Sequence, residues 1–296
     1  MKPLPSVYVA LPTHNRRDSL GRFLRSLREQ DYAHIQVVVC DDGSTDGTGE
    51  MLRDEFPEVA VVQGTGSLWW TGGMNRCVEY ILTRAGDGDY VLTINDDVIL
   101  PPHYISQKVD RAREFPGAII GSVCVYMEDE DKIETSGMMV DFRARKFCPL
   151  VPHGARRSRL NVSGMVPASH LPGKGVLIPV SVYKRIGLYD GKHFPHYHAD
   201  SEFTFRAFKY GIKVYVDFDS VVRSQVNLYN AGRSSSRPSF RQVLHSFFSP
   251  YGLNSFQAYW NMACLHFPEA KWDFLLRSYA RITGGMLKRA LFANKK

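Results

Sequence analysis

The chain has no run approaching the roughly 20 apolar residues that a membrane-spanning helix needs. Its first residues, Met1-Lys2-Pro3-Leu4-Pro5, lead into a strand-like segment without an apolar stretch of signal-peptide length. Cysteine is sparse: Cys40, Cys77, Cys124, Cys148 and Cys264 are scattered, odd in number and never spaced as CxxC. That pattern speaks against a disulfide framework and a structural zinc site. There is no GxxxxGK[ST], which argues against a P-loop NTPase. The first predicted strand runs into Pro12-Thr13-His14-Asn15 instead of a GxGxxG turn, so a dinucleotide-binding Rossmann domain is disfavoured. These absences predict a cytoplasmic, reduced protein, either soluble or held peripherally at the inner face of the plasma membrane.

What is present is a chain of 296 residues, 44% hydrophobic and 23% charged, within globular norms. The formal net charge of +7 is modest and spread along the chain. It suits an anionic small molecule or an acidic membrane surface, and nothing beyond Arg156-Arg157-Ser158-Arg159 argues for nucleic acid. Apolar runs of strand length (7–11, 35–40, 59–62, 90–94) alternate with helical spacing (18–30, a helix carrying Met51 and Leu52, 75–83). Asp46 is a candidate cap for the second of these helices. The rhythm predicts an α/β fold with a mostly parallel central sheet covered by helices on both faces. Residues 142–172, rich in Arg, Pro, Gly and Ser, read as a mobile loop, as do residues 230–239. A helix is expected from Asp200 to a Gly211 C-terminus, then a strand over 212–216, with the remainder helical.

In such sheets ligands bind beyond the carboxyl ends of the strands. Three polar clusters fall there: Thr13-His14-Asn15-Arg16, Asp41-Asp42-Gly43-Ser44 and Asn95-Asp96-Asp97. Without a glycine turn, a phosphate needs another neutralising device, and carboxylates at a strand end suit a divalent cation that bridges substrate phosphates. Each cluster also has a plainer reading, as an Asx turn, a helix cap or a solvated loop. The His193, His196 and His198 group is more naturally surface chemistry than a zinc site. Trp69 and Trp70 cannot both face inward on a strand, which leaves one available to stack on a ligand.

The ordered set resembles the inverting glycosyltransferases of family 2. It comprises Pro-Thr-x-Asn-Arg, Asp-Asp-Gly-Ser-Thr-Asp, Gly72-Gly73-Met74-Asn75, Asn-Asp-Asp and His196-Tyr197-His198-Ala199-Asp200-Ser201-Glu202-Phe203 followed by Arg206. The resemblance covers about residues 6–225 and implies a GT-A, Rossmann-like domain over 1–235. Residues 1–100 would form the nucleotide-sugar half, residues 101–235 the acceptor half, and residues 236–296 a helical extension.

The resemblance also assigns roles by position. Pro12, Thr13, Asn15, Arg16, Asp41, Asp42, Ser44, Gly73, Asn75, Asn95 and Asp96 go to the donor nucleotide, with Asp41 accepting from a pyrimidine base. Asp97 goes to a divalent cation, Mn²⁺ or Mg²⁺, and Asp200 to the catalytic base. Trp69, Trp70, Lys174, His198, Glu202 and Arg206 go to the sugar or acceptor. Two departures stand out. The first position of the DxD-type motif is Asn95, and Val221-Val222-Arg223-Ser224-Gln225 stands where many relatives carry a metal-binding His. That leaves Asp97 as the one carboxylate ligand and His198 as a candidate second.

The Leu68-Trp69-Trp70-Thr71-Gly72-Gly73 stretch is similar to bacterial rhamnosyl-type enzymes. The implied reaction moves a sugar from a UDP- or dTDP-linked donor to a hydroxyl of a surface glycan, free or polyprenyl-linked (O-antigen, capsule or exopolysaccharide). A sugar-1-phosphate nucleotidyltransferase and a non-catalytic nucleotide- or glycan-binding protein are the rival readings. At the C-terminus, Leu275, Tyr279, Ile282 and Met286 at helical spacing among basic residues mark either a packed helix or an interfacial one.

Overall fold

The computed structural model describes residues 4–225 and 245–292, the side chains of 286–292 excepted. The first half alternates as the periods predict: β1 (Val7–Thr13), α1 (Arg17–Arg28), β2 (Ile35–Asp41), α2 (Thr48–Glu55), β3 (Ala60–Gln63), α3 (Trp69–Leu82) and β4 (Tyr90–Thr93). There follow β5 (Val98–Ile99), α4 (Tyr104–Glu114), β6 (Ile119–Tyr126), β7 (Asp129–Thr135), β8 (Met138–Asp141), β9 (Lys146–Pro149), β10 (Met165–Pro167), β11 (Val176–Pro179), α5 (Val180–Ile186), α6 (Ala199–Lys209) and β12 (Val214–Ser224). Beyond residues 226–244 come α7 (Phe256–His266) and α8 (Lys271–Phe292). The expected loop over 230–239 and the expected domain boundary at 235 lie outside the described residues.

The central sheet has ten strands, ordered β10-β12-β6-β11-β4-β1-β2-β3, with β5 on β12 and β7 on β6. Strands β1, β2, β3, β4, β6 and β12 run in one direction, so the sheet is mostly parallel. Alternation along each strand splits the core in two. Val7, Val9 and Leu11 meet α1, α2 and α4 on one face, while Tyr8 and Ala10 meet α3 on the other. Ala258, Met262, Phe267, Phe274 and Leu275 join the second layer, so α7 and α8 pack on the same core as α3 and α6.

Three expectations need correction. First, α3 begins at Trp69, six residues before the apolar spacing suggests, which puts Trp69 and Trp70 on a helix and removes the strand argument about them. Second, residues 142–172 are not a loop throughout: β9 pairs with β8, and β10 pairs with β12. Phe147 of β9 lies edge-on to His170 and Phe205, and Asp131 accepts from Ser158 N (2.7 Å) and Arg156 (3.0 Å). Those long-range partners order a segment whose own composition favours turns. Third, of the two readings of α8 only the interfacial one fails for this stripe: Leu275 is in the core and Tyr279 packs against it, as the packed reading expects. Asp46 precedes the N-cap Gly47, yet its Oδ1 still accepts from Thr48 N at 3.1 Å.

Candidate active site

The parallel register sets Thr13 beside Asp41, and β4 brings residues 95–97 to the same edge of the sheet. The first cluster is braced from below. Thr13 Oγ1 donates to Asp96 Oδ2 (2.9 Å), and Arg16 Nε stands 2.6 Å from Asp96 Oδ1. Asp96 is buried, which pushes its carboxyl up to about 6; the Arg16 guanidinium opposes this and neighbouring Asp97 adds to it. Asp41 Oδ1 accepts from Ser44 N (2.9 Å), Ser44 Oγ from Asn15 N (2.9 Å) and Asn15 Oδ1 from Thr45 N (2.7 Å). The turns after β1 and β2 are therefore stitched to each other before any ligand arrives.

Asp42 explains the early start of α3. Its carboxylate accepts from Gly66 N (2.7 Å), Leu68 N (2.8 Å) and Trp69 N (3.1 Å), placing negative charge at the helix N-terminus. Gly73 admits α3 against the end of β1: a Cβ there would sit 2.6 Å from Pro12 Cβ. The Asn75 amide exchanges two hydrogen bonds with the backbone of Tyr189 (2.9 and 3.0 Å). Asp42 and Asn75, assigned from sequence to the nucleotide, thus also hold backbone, Asp42 at residues 66–69 and Asn75 at Tyr189.

The two tryptophans part company. Trp69, at φ +57° and 44% exposed, stacks on Tyr251 with ring centroids 4.0 Å apart. Trp70 turns in: its Nε1 donates to Asn95 Oδ1 (2.9 Å), and its backbone N–H donates to His196 Nδ1 (3.4 Å). Burial holds His196 down to about 4, so its ring is neutral and can accept. Next to the Trp70 ring lies Gly173, where a Cβ would meet Trp70 Cζ2 at 3.0 Å and Asp200 Oδ2 at 3.2 Å. Gly173 N donates to Asp200 Oδ2 (2.5 Å), and Ser201 N donates to Asp200 Oδ1 (2.7 Å). Asn95, Trp70, Gly173 and half-buried Asp200 form one continuous wall.

Lys174, one residue on, sends its Nζ to Glu134 (3.0 and 3.1 Å) and Ser224 (2.7 Å). Burial pulls the ammonium down, but Asp97 and Glu134 together outweigh it and hold Lys174 above its ordinary value. Asp97 is buried directly before β5, and its carbonyl accepts from Gln225 N (2.9 Å), so the end of β12 does reach the motif. Among the described residues no group of three or more His, Cys, Asp or Glu converges on a point. One buried carboxylate at a strand end fits a cation whose other ligands are substrate phosphates and water, the usual arrangement for Mg²⁺.

Other assigned residues lie elsewhere. Glu202 is 2% exposed and bound to Arg206 Nε (3.0 Å) and His266 Nε2 (3.2 Å). Arg206 also donates to Ile186 O and, at 2.7 Å, to Leu188 O. The pair ties α6 to α7 and to the turn after α5. His198, the N-cap of α6 at φ +70°, turns its Nε2 to Leu253 O (2.8 Å). His193 pairs with Asp190, so the three histidines serve three different partners. Sequence reasoning missed Glu134, Gly173, His196, Ser224 and Tyr251. Glu134 and Tyr251 come from distant segments, and only the alternating histidines hinted at His196.

Comparison with known proteins matches residues 8–187, more than half of the chain, to the model of glycosyl transferase family 2. An N-acetylglucosaminyl-diphospho-decaprenol L-rhamnosyltransferase of Mycobacterium tuberculosis is 28% identical over 208 residues, covering 64% of this chain and 66% of that one. The chain thus spans just under two thirds of that relative's length. Among solved structures, GalNAc-T7 with UDP, GalNAc and Mn²⁺ superposes with a TM-score of 0.60 at 15% identity, covering 90% of this chain and 51% of the other. The mannosyltransferase PcManGT of Pyrobaculum calidifontis, in complex with GDP-Man and Mn²⁺, gives 0.54 at 17% identity, over 99% and 82%. These likenesses identify the fold as GT-A. The strand-end clusters, the matched span and the fold agree: the chain belongs to glycosyl transferase family 2.

Proposed function

We propose that this chain transfers a sugar from a nucleotide diphosphate donor to a hydroxyl of a polyprenyl-linked glycan in bacterial surface polysaccharide synthesis, inverting the anomeric centre. The observation that supports this reading is the run of contacts from Asn95 through Trp70 and Gly173 to Asp200, which links one carboxylate to the strand-end clusters. Asp41 accepts N3–H of uracil or thymine through the oxygen that Ser44 does not hold, which favours UDP- or dTDP-linked donors. Asp97 would hold Mn²⁺ or Mg²⁺, which stabilises charge on a departing diphosphate. Lys174 adds a fixed positive charge beside it.

An acceptor hydroxyl is a weak nucleophile, and Asp200 takes its proton as the new bond forms. The amides of Gly173 and Ser201 hold the carboxylate in one orientation for that transfer. The rhamnosyltransferase relative supports a decaprenyl-diphosphate type of acceptor. The test is a donor screen with UDP-, dTDP- and GDP-sugars and either cation, following diphosphate release. Asp200→Asn should lose roughly two to four orders of magnitude in rate while UDP binding, read by thermal shift, stays as in the wild type. Release from no donor would leave a non-catalytic binding protein. A product that keeps the donor's anomeric configuration would refute Asp200 as the base of a single displacement.

A further inference from the structure

The hairpin of α7 and α8 exposes an apolar surface that the crevice does not use. Phe256 is 49% exposed, Trp272 63% and Leu276 73%. Trp260 sits between the helices with its centroid 5.2 Å from Trp272 and 6.4 Å from Phe256, and Tyr279 stacks on Phe256 at 5.8 Å. On α8, Trp272 and Leu276 are one turn apart and look outward, opposite to Phe274 and Leu275 in the core. This is a contiguous aromatic platform rather than scattered apolar residues, and such patches mark surfaces that something covers.

Charge selects the partner. Lys271 Nζ lies 5.6 Å from the Trp260 ring centroid, an ammonium at the platform's edge. In sequence α8 carries Lys271, Arg277, Arg281, Lys288 and Arg289 against Asp273, which pairs with Arg277 at 3.0 Å. Trp and Tyr with a basic flank match the interface of an anionic bilayer, where the rings sit at headgroup depth and long cations reach the phosphates. Among the described residues no helix is long and apolar enough to cross a membrane. The chain that leads into the platform also touches the residues beside the wall: Tyr251 stacks on Trp69 and Leu253 O receives His198, a few residues before Phe256.

We propose that the Phe256–Trp260–Trp272–Leu276 platform seats the protein on an anionic lipid surface with the mouth of the crevice beside the headgroups. This inference goes beyond the transfer reaction and does not rest on it. The experiment is flotation of the full chain with vesicles of phosphatidylcholine alone and with phosphatidylglycerol added. Wild type should float with the anionic vesicles and far less with the neutral ones, and added salt should weaken it. Trp272→Glu with Leu276→Glu should cut partitioning by roughly tenfold or more while the UDP thermal shift stays intact. That intact shift separates failure here from failure of the proposed reaction. If the double variant lost the shift as well, Trp272→Ser alone would decide. No flotation of the wild type, equal flotation of wild type and variant, or a dimer that the substitutions dissociate would each overturn the proposal.

Discussion

Trp70 Nε1 donates to Asn95 Oδ1 across 2.9 Å, so the residue heading the Asn95-Asp96-Asp97 run is oriented from α3 and not by the strand that carries it. An amide oxygen fixed by an indole leaves its nitrogen aimed elsewhere, a donor where a carboxylate could only accept. Trp70→Phe keeps the packing against Tyr189 but removes the hydrogen bond. The expected outcome is a donor KM raised roughly 5- to 20-fold with kcat changed much less. Steady-state kinetics at varied donor concentration checks this, and an unchanged KM would detach the indole from donor binding.

Chelation tests the cation at Asp97. A group that offsets charge developing on the leaving diphosphate is worth about a hundredfold or more in rate. Asp97→Ala should lose that much, and EDTA should abolish wild-type transfer until Mn²⁺ or Mg²⁺ is restored. Full activity in EDTA would assign the neutralising role to Lys174 alone.

Asp96 links stability to pH. Its carboxyl titrates near 6 in the fold, raised by burial, against about 4 in an unfolded chain. The folded state therefore holds an extra proton between those values. The stability this gives is full below about pH 4 and is lost as pH rises through about 6. Asp96→Asn lacks the titration, so its stability relative to wild type should improve by roughly 1–3 kcal/mol from pH 4 to 7. Denaturant melts at four pH values suffice, and a constant difference would refute the shift.

Glu202 is expected to matter for folding and not for turnover. Removing it strands Arg206 and His266, both largely buried, without their common carboxylate. Glu202→Ala should cost about 3–5 kcal/mol, the range for breaking a buried pair from one side, with the acceptor KM of the folded fraction unchanged. A large rise in acceptor KM would return Glu202 to the crevice.

Much of this was legible from the chain because strand ends and turn residues are local signals. The run Val7–Leu11 followed by Pro12-Thr13-His14-Asn15, and Ile35–Cys40 followed by Asp41-Asp42-Gly43-Ser44, placed two sides of the crevice without tertiary information. What escaped was whatever depends on a partner far along the chain. Asp42 reads in sequence as a nucleotide ligand, and only the fold shows that it also holds the amides of Gly66, Leu68 and Trp69. Glu202 and Arg206 sit four apart on one helix face, a spacing that fits either a substrate clamp or an internal pair, and burial decided for the latter. The order within 142–172 rests on pairing with β8 and β12, which local composition does not encode.

The left-handed backbone of Trp69 has a mechanical consequence. A non-glycine residue at φ +57° costs on the order of 1–3 kcal/mol relative to a relaxed peptide. It persists because Asp42 Oδ2 holds its N–H from one side while Tyr251 clamps its ring from the other. One residue thus joins three segments: the turn after β2 through Asp42, the start of α3, and the chain at Tyr251, with the next residue, Trp70, carrying the contact to Asn95.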